Sequence, residues 1–316
     1  MKRIGNLYHQ ITSMDNLVLA DEKAQKGKSG QYGVNIHNRN KEANLLRLQD
    51  MLMSKTYQTS NYDIFNVYEP KERIVYRLPY FPDRITHHAI MNVLEPIFVS
   101  TFTADTYSCI KGRGIHKLLG NLRIDLKDSR STRYCLKFDI TKFYPTIDHD
   151  TLKALLRRKF KYEELLWILD EIIDSAPGLP IGNYLSQYLA NFYLTYFDHW
   201  VKEKLKVQHY YRYADDMVIL APDKENLHKV IHQCKAYLAD NLKLEVKGNH
   251  QIFPVESRGI DFVGYVFYHH HIRIRKQIKK NFARKLASNP NHSSTASYLG
   301  WLGHANARHL TKKLLP

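Results

Sequence analysis

The stretch Tyr211-Arg212-Tyr213-Ala214-Asp215-Asp216-Met217-Val218-Ile219-Leu220 sets two adjacent carboxylates between apolar segments. It predicts a β-hairpin over Tyr210 to Leu220 with Ala214-Asp215-Asp216 at its tip. Upstream, Lys137-Phe138-Asp139-Ile140-Thr141-Lys142-Phe143-Tyr144-Pro145 ends a buried strand, Arg133 to Ile140, in a third carboxylate. Like charges at the ends of buried strands are costly unless a cation neutralises them. Oxygen ligands of this kind suit Mg²⁺, which needs few carboxylates beside substrate phosphates. Adjacent strand residues point to opposite faces, so Asp215 and Asp216 cannot face one ion equally. Asp139 and Asp215 are therefore expected as inner ligands, with Asp216 nearby. Such a centre supports in-line phosphoryl transfer with two ions, Mn²⁺ being a possible substitute.

Outward from this pair, Gly182 to about Leu205 predicts one long helix with Leu185, Leu189, Phe192, Tyr193 and Tyr196 on its buried face. Residues 150 to 175 predict one or two helices. Asp83 to Ser100 predicts another, with Ile85, Ala89, Val93 and Ile97 at spacing four. Residues 61 to 85 begin with strands in which Lys71, Arg73 and Arg77 are interleaved. Residues 1 to about 60 are partly helical, with Leu45, Leu48 and Leu52 as a stripe. Lys23 to Asn40 reads as a mobile basic loop. Downstream come a helix from Leu227 to Asn241 and strands near Leu244 and Ile252. A further hairpin is expected over Gly259 to Tyr268 and Ile272 to Ile274. Last is a basic helix, Lys276 to Leu286, with Ile278, Phe282 and Leu286 on one face.

The 316 residues are 44% hydrophobic and 25% charged, a globular rather than a disordered composition. Apolar runs such as Leu94 to Phe98 fall far short of the ~20 residues of a membrane span. The N-terminus, Met1-Lys2-Arg3-Ile4, lacks the apolar core of a secretory signal, so a cytoplasmic protein is expected. Cys109, Cys135 and Cys234 are odd in number and read as reduced core thiols. His269-His270-His271 alternates faces on an extended chain and reads as a solvated hairpin tip rather than a chelate. The net charge is +16, and residues 243 to 316 carry 13 Lys plus Arg against 3 Asp plus Glu. This concentration of charge suggests a nucleic-acid grip.

These segments together resemble the reverse transcriptase family over roughly residues 60 to 270. Phe138 to Tyr144 is similar to its first catalytic motif and Tyr213-Ala214-Asp215-Asp216 to its second. Gly178-Leu179-Pro180-Ile181-Gly182-Asn183-Tyr184-Leu185-Ser186-Gln187 is similar to the nucleotide-site motif between them. Ile260 to Tyr265 resembles the segment after the palm. The resemblance implies an α+β right-hand polymerase that copies RNA into DNA. It implies an N-terminal helical extension over 1–60 and fingers over 61–132. The palm is expected over 133–268, with fingers helices inserted around 150–180, and a basic helical thumb over 269–316. It assigns catalysis to Asp139, Asp215 and Asp216, with Ile140 beside them at the two Mg²⁺ ions. Tyr144 matches the steric gate that rejects a 2′-hydroxyl. One or two of Lys71, Arg73 and Arg77 would grip the incoming triphosphate. Ile181, Gly182 and Gln187 would line the nucleotide site, and Lys247 matches a lysine proposed as proton donor to pyrophosphate. Arg113, Ser186, Lys279, Lys280 and Arg284 are the expected template and primer contacts.

Group II intron and retroviral enzymes usually carry Gln-Gly and Ser-Pro where this chain has Ile181-Gly182 and Ser186-Gln187. The form found resembles the error-prone enzymes of diversity-generating retroelements. Ile181 removes a hydrogen-bonding amide, so geometry at the templating pair would be checked less strictly. The resemblance further implies a template RNA and its RNA/DNA hybrid, dNTPs, and a small basic helical accessory protein as partners. Two other readings stay open: a stand-alone bacterial or phage enzyme of a defence or group II-like system, and a non-catalytic RNA-binding scaffold.

Overall fold

A computed structural model describes residues 4–68, 72–288 and 291–314. The chain divides into two compact units, each built from three separate segments. Lys71 lies outside the described residues.

The first unit comprises residues 1–102, 141–196 and 239–244. Its spine is the helix Ile85–Thr101, buried along Ile85, Ala89, Ile90, Leu94 and Phe98. Phe98 meets Phe160 edge-on at 5.9 Å and Phe192 at 5.2 Å. The helix Lys41–Met53 buries Leu45, Leu48 and Leu52, as their spacing predicts.

The expected basic loop over Lys23 to Asn40 is largely helical instead. The helix Met14–Gln25 runs into it, and Tyr32–Arg39 forms a second. Asp21 explains why: it is fully buried and accepts a hydrogen bond from Tyr80 at 2.5 Å. Lys41 Nζ lies 2.8 Å and His37 Nε2 3.2 Å from it. Burial alone would raise this carboxyl, but hydrogen bonds from His37, Lys41, Tyr80 and Gln25 hold it well below the usual range. The Tyr80 anchor lies 59 residues away and leaves no local pattern.

This unit also holds a two-stranded antiparallel hairpin, β1 (Asp63–Val67) and β2 (Arg73–Arg77), with Val67 opposite Arg73. The turn containing Ile181 and Gly182 packs onto β2, and Tyr76 N donates to Ile181 O at 2.9 Å. Gly182 has φ 125°, and a Cβ there would sit 2.4 Å from Tyr76 O, so only glycine fits. The long helix expected from Gly182 is two helices, Tyr184–Tyr193 and Thr195–Glu203. Thr195 Oγ1 donates back to Asn191 O at 3.1 Å, a bond that competes with the helical ladder at the break.

The second unit comprises residues 103–140, 197–238 and 245–316. Its central sheet is antiparallel, with strands β3 (Tyr134–Asp139), β4 (His209–Tyr213), β5 (Asp216–Ala221) and β6 (Gln251–Pro254) in the order β4-β5-β3-β6. The expected hairpin is β4–β5, whose turn is Ala214-Asp215. The strand expected near Leu244 is reduced to a single bridge between Ile140 and Val246. Cys135, Lys137 and Asp139 of β3 lie opposite Leu220, Val218 and Asp216 of β5, so all six share one face. Away from the carboxylates, that face is covered by Leu118, Leu119 and Leu122 of the helix Ile115–Asp125.

The expected second hairpin is a three-stranded sheet, β7 (Ile260–Phe262), β8 (Tyr265–Phe267) and β9 (Ile272–Ile274). The basic helix Lys276–Ser288 buries Phe282, which stacks on Tyr298 at 4.6 Å. Cys135 and Cys234 are buried free thiols, as expected, whereas Cys109 is half-buried. Among the described residues, no helix is long and apolar enough to cross a membrane.

Candidate active site

Asp139 closes β3, Asp216 opens β5, and the two are register partners. Asp215 stands in the turn between them and β4. The β-sheet period therefore does what the sequence requires: it brings carboxylates 76 residues apart to one sheet end. Burial pushes the Asp215 carboxyl up to about 7, with a hydrogen bond and the negative charge of Asp139 adding to it and Lys247 opposing. Burial likewise pushes Asp216 up to about 6, with Lys137 opposing and Asp139 adding.

Two lysines partly neutralise the cluster. Lys247 Nζ pairs with Asp139 Oδ2, and Lys247 N donates to Asp139 O at 2.9 Å. Lys137 Nζ lies 3.5 Å from Asp216 Oδ2 and donates to Asp261 O at 2.5 Å. Neither reaches the other oxygens: Asp139 Oδ1 and Asp216 Oδ1 are buried without a hydrogen-bond partner. Buried carboxylate oxygens left unpaired are unfavourable and mark a place for a cation. The carboxylates are oxygen donors of the kind a hard divalent ion such as Mg²⁺ takes. Among the described residues, however, no three acidic, imidazole or thiol side chains converge closely enough to hold a metal by themselves, so substrate phosphates would have to complete the coordination.

The remaining expected site residues fall as follows. In the second unit, Lys279, Lys280 and Arg284 are exposed on the basic helix. Arg113 donates from Nη1 to Thr103 O at 2.6 Å and to Thr106 O at 3.4 Å on its own loop.

In the first unit, Tyr144 is half-buried and packs edge-on against Phe143 at 5.5 Å. Arg73 is exposed at the start of β2. Arg77 pairs with Asp63 across the hairpin and lies over the Phe65 ring. Gln187 is exposed on the helix Tyr184–Tyr193, while Ser186 is 4% exposed.

Arg77, Gly182 and Gln187 share a groove of about 490 Å³ with Lys23, Lys26, Lys28, Arg84, His87 and His88, and among the described residues no carboxylate lines it. Burial and the surrounding cations lower His88 to about 4 and His87 to about 3. His87 Nε2 is buried there without a partner, and His88 stacks on Tyr184 at 4.7 Å. A wall of cations around neutral imidazoles is suited to a polyanion. The sequence offers no sign of this groove, because Lys23 and His87 are brought together only by tertiary packing. Lys137 is different: it lies two residues before Asp139 on one strand face, and period two alone places it beside the carboxylates.

The profile of the reverse transcriptase (RNA-dependent DNA polymerase) family matches residues 69–267. The chain belongs to that family. It is 25% identical to the protein YkfC of Escherichia coli over 291 residues, covering 77% of this chain and 74% of YkfC. It is 22% identical to the group II intron-encoded protein LtrA of Lactococcus lactis, over 63% of this chain and 44% of LtrA. Among solved structures, apo telomerase from Candida tropicalis superposes with a TM-score of 0.53 at 13% identity, over 73% of this chain and 53% of that one. Telomerase from Candida albicans gives 0.53 at 11%, over 74% and 51%. The chain thus spans about half the length of these telomerases and less than half of LtrA. The α+β right-hand polymerase fold expected from the motifs is the fold these structures share.

Proposed function

We propose that the protein is an RNA-directed DNA polymerase that builds cDNA by metal-dependent nucleotidyl transfer. The observation that carries this reading is the sheet end where Asp139, Asp215 and Asp216 meet, with Asp139 Oδ1 and Asp216 Oδ1 buried and unpaired. Asp139 and Asp215 would hold Mg²⁺, Asp216 completing the negative cluster beside Ile140. The ions, when bound, supply charge neutralisation for the attacking hydroxyl and the phosphoryl group. The chain's own groups do the rest. Lys247, which pairs with Asp139, would hold a proton for the departing pyrophosphate. Arg73 and Arg77 offer charge to the triphosphate, Tyr144 excludes a 2′-hydroxyl, and Lys279, Lys280 and Arg284 offer charge to the hybrid. Residues 1–60, 61–132, 133–268 and 269–316 would serve as N-terminal extension, fingers, palm and thumb. The decisive assay is primer extension on an RNA template with Mg²⁺ and dNTPs. Wild type should extend and Asp215→Ala should not; equal, negligible incorporation by both sinks the enzyme reading.

Within the family, the reading supported by Ile181-Gly182 and Ser186-Gln187 is the mutagenic polymerase of a diversity-generating retroelement, acting in the bacterial cytoplasm with a small basic helical accessory protein. Ile181 presents no hydrogen-bonding side chain beside Gly182, which suits permissive base selection. Sequencing of the cDNA should show errors concentrated at template adenines, and Ile181→Gln should reduce them. A flat, low error spectrum leaves the second reading, a group II intron-type enzyme, which the likeness to LtrA and to nuclear intron maturase 4 of Arabidopsis thaliana favours.

A further inference from the structure

We propose that the buried Arg212–Asp198 pair is a positioning device for Asp215, holding the hairpin turn in the conformation that accepts the metal ion. This inference rests on reading the three aspartates as a metal centre.

Arg212 sits on β4, and both its side chain and that of Asp198 are 0% exposed. A buried ion pair is a poor choice for stability alone, because apolar residues of similar volume often serve as well or better. Its geometry suggests another use. Arg212 Nε donates to Asp198 Oδ1 at 2.8 Å, and Nη2 donates to Oδ2 at 2.6 Å. That fork fixes the guanidinium plane. The remaining nitrogen, Nη1, then donates to Ala214 O at 3.0 Å.

Ala214 is where the turn needs holding. Its φ is 55°, in the left-handed region that an alanine Cβ disfavours. Such residues persist where their surroundings over-determine them. The carbonyl of Ala214 belongs to the same peptide plane as the N–H of Asp215. Fixing that carbonyl therefore fixes the peptide plane that enters Asp215 and restricts the directions its side chain can take from the turn.

Asp198 is itself held from two sides. Tyr210 Oη donates to Oδ1 at 2.7 Å and Thr106 Oγ1 to Oδ2 at 3.0 Å. Thr106 lies on a segment paired with β4, where Arg212 N donates to Asp105 O at 2.9 Å and Tyr107 N donates to Arg212 O at 3.0 Å. Lysine could replace the charge of Arg212 but not a planar fork that bonds Asp198 and Ala214 at once.

Two variants test the device: Arg212→Met with Asp198→Leu, which removes both charges together, and Arg212→Lys. Each is measured for cooperative melting in EDTA, for Mn²⁺ binding by electron paramagnetic resonance without nucleic acid or dNTP, and for the Mg²⁺ requirement of primer extension. Folded variants should bind Mn²⁺ about 10–100-fold more weakly, and half-maximal extension should need correspondingly more Mg²⁺. Recovery at saturating Mg²⁺ is expected. A folded variant with wild-type Mn²⁺ affinity, or one that weakens only in proportion to its unfolded fraction, overturns the proposal. If the double variant fails to fold, Arg212→Lys decides on the same readouts. Wild type that binds Mn²⁺ at the aspartates yet extends no primer refutes the polymerase reading instead, and the comparison of affinities still judges the device.

Discussion

At the scale of single residues, the three aspartates are a cluster that the protein alone does not satisfy. Lys247 and Lys137 each take one oxygen, and the carboxyls of Asp215 and Asp216 are still pushed up to about 7 and about 6. A raised carboxyl means that the ionised form is the disfavoured one in the folded chain. Asp215→Asn should therefore stabilise the metal-free protein at pH 8, on the order of 2 kcal/mol after allowance for partial exposure, while abolishing extension. Denaturant melts in EDTA measure the first effect, and a destabilised variant would contradict a repulsive cluster. His87 gives the opposite pH behaviour in the other unit. Burial holds it neutral down to about 3, whereas the unfolded chain takes a proton near 6.5. Protons thus favour the unfolded state between those values, and stability is lost as pH falls from about 6.5. By pH 5 this amounts to about 2 kcal/mol. His87→Gln should show a correspondingly smaller loss of melting temperature between pH 7.5 and pH 5.

Elements show where local sequence suffices and where it does not. The β4–β5 hairpin and the strand ending at Asp139 were legible because strand alternation and turn residues lie within a few positions of one another. So was the carboxylate constellation, since it follows from where two strands end. Lys23 to Asn40 was misread because its helix is stabilised by Asp21, whose partner Tyr80 is 59 residues away. The break at Leu194 was invisible because both sides keep a helical apolar pattern, and Thr195 acts only through a back-bond. Nothing local to Arg212 announces Asp198 as its partner, so the pair leaves no mark in the sequence. Gly182 tests the junction between the Ile181–Gly182 turn and β2. Gly182→Ala would force a Cβ against Tyr76 O at 2.4 Å with φ at 125°. It should cost about 1–3 kcal/mol in urea melts and loosen the hairpin that carries Arg73 and Arg77. An unchanged midpoint would show that the turn relaxes freely.

For the whole molecule, the proposed polymerase function and the net charge of +16 together predict that nucleic-acid binding is strongly salt-dependent. Replacing Lys279, Lys280 and Arg284 together by Glu should weaken hybrid binding uniformly across sequences. It should also lower the slope of log K against log salt by about two to three. An unchanged slope in a filter-binding titration would remove that helix from the nucleic-acid contact. The division into two units has a consequence for how the chain is made. The backbone passes from one unit to the other after residues 102, 140, 196, 238 and 244. Neither unit is a contiguous fragment, so neither can be excised as a smaller functional piece. On the ribosome, the first unit stays unfinished until residue 244 has emerged, although most of it is synthesised by residue 196. Nascent chains halted before that point carry two incomplete cores, and their exposed apolar surface calls for chaperones rather than independent domain-by-domain folding.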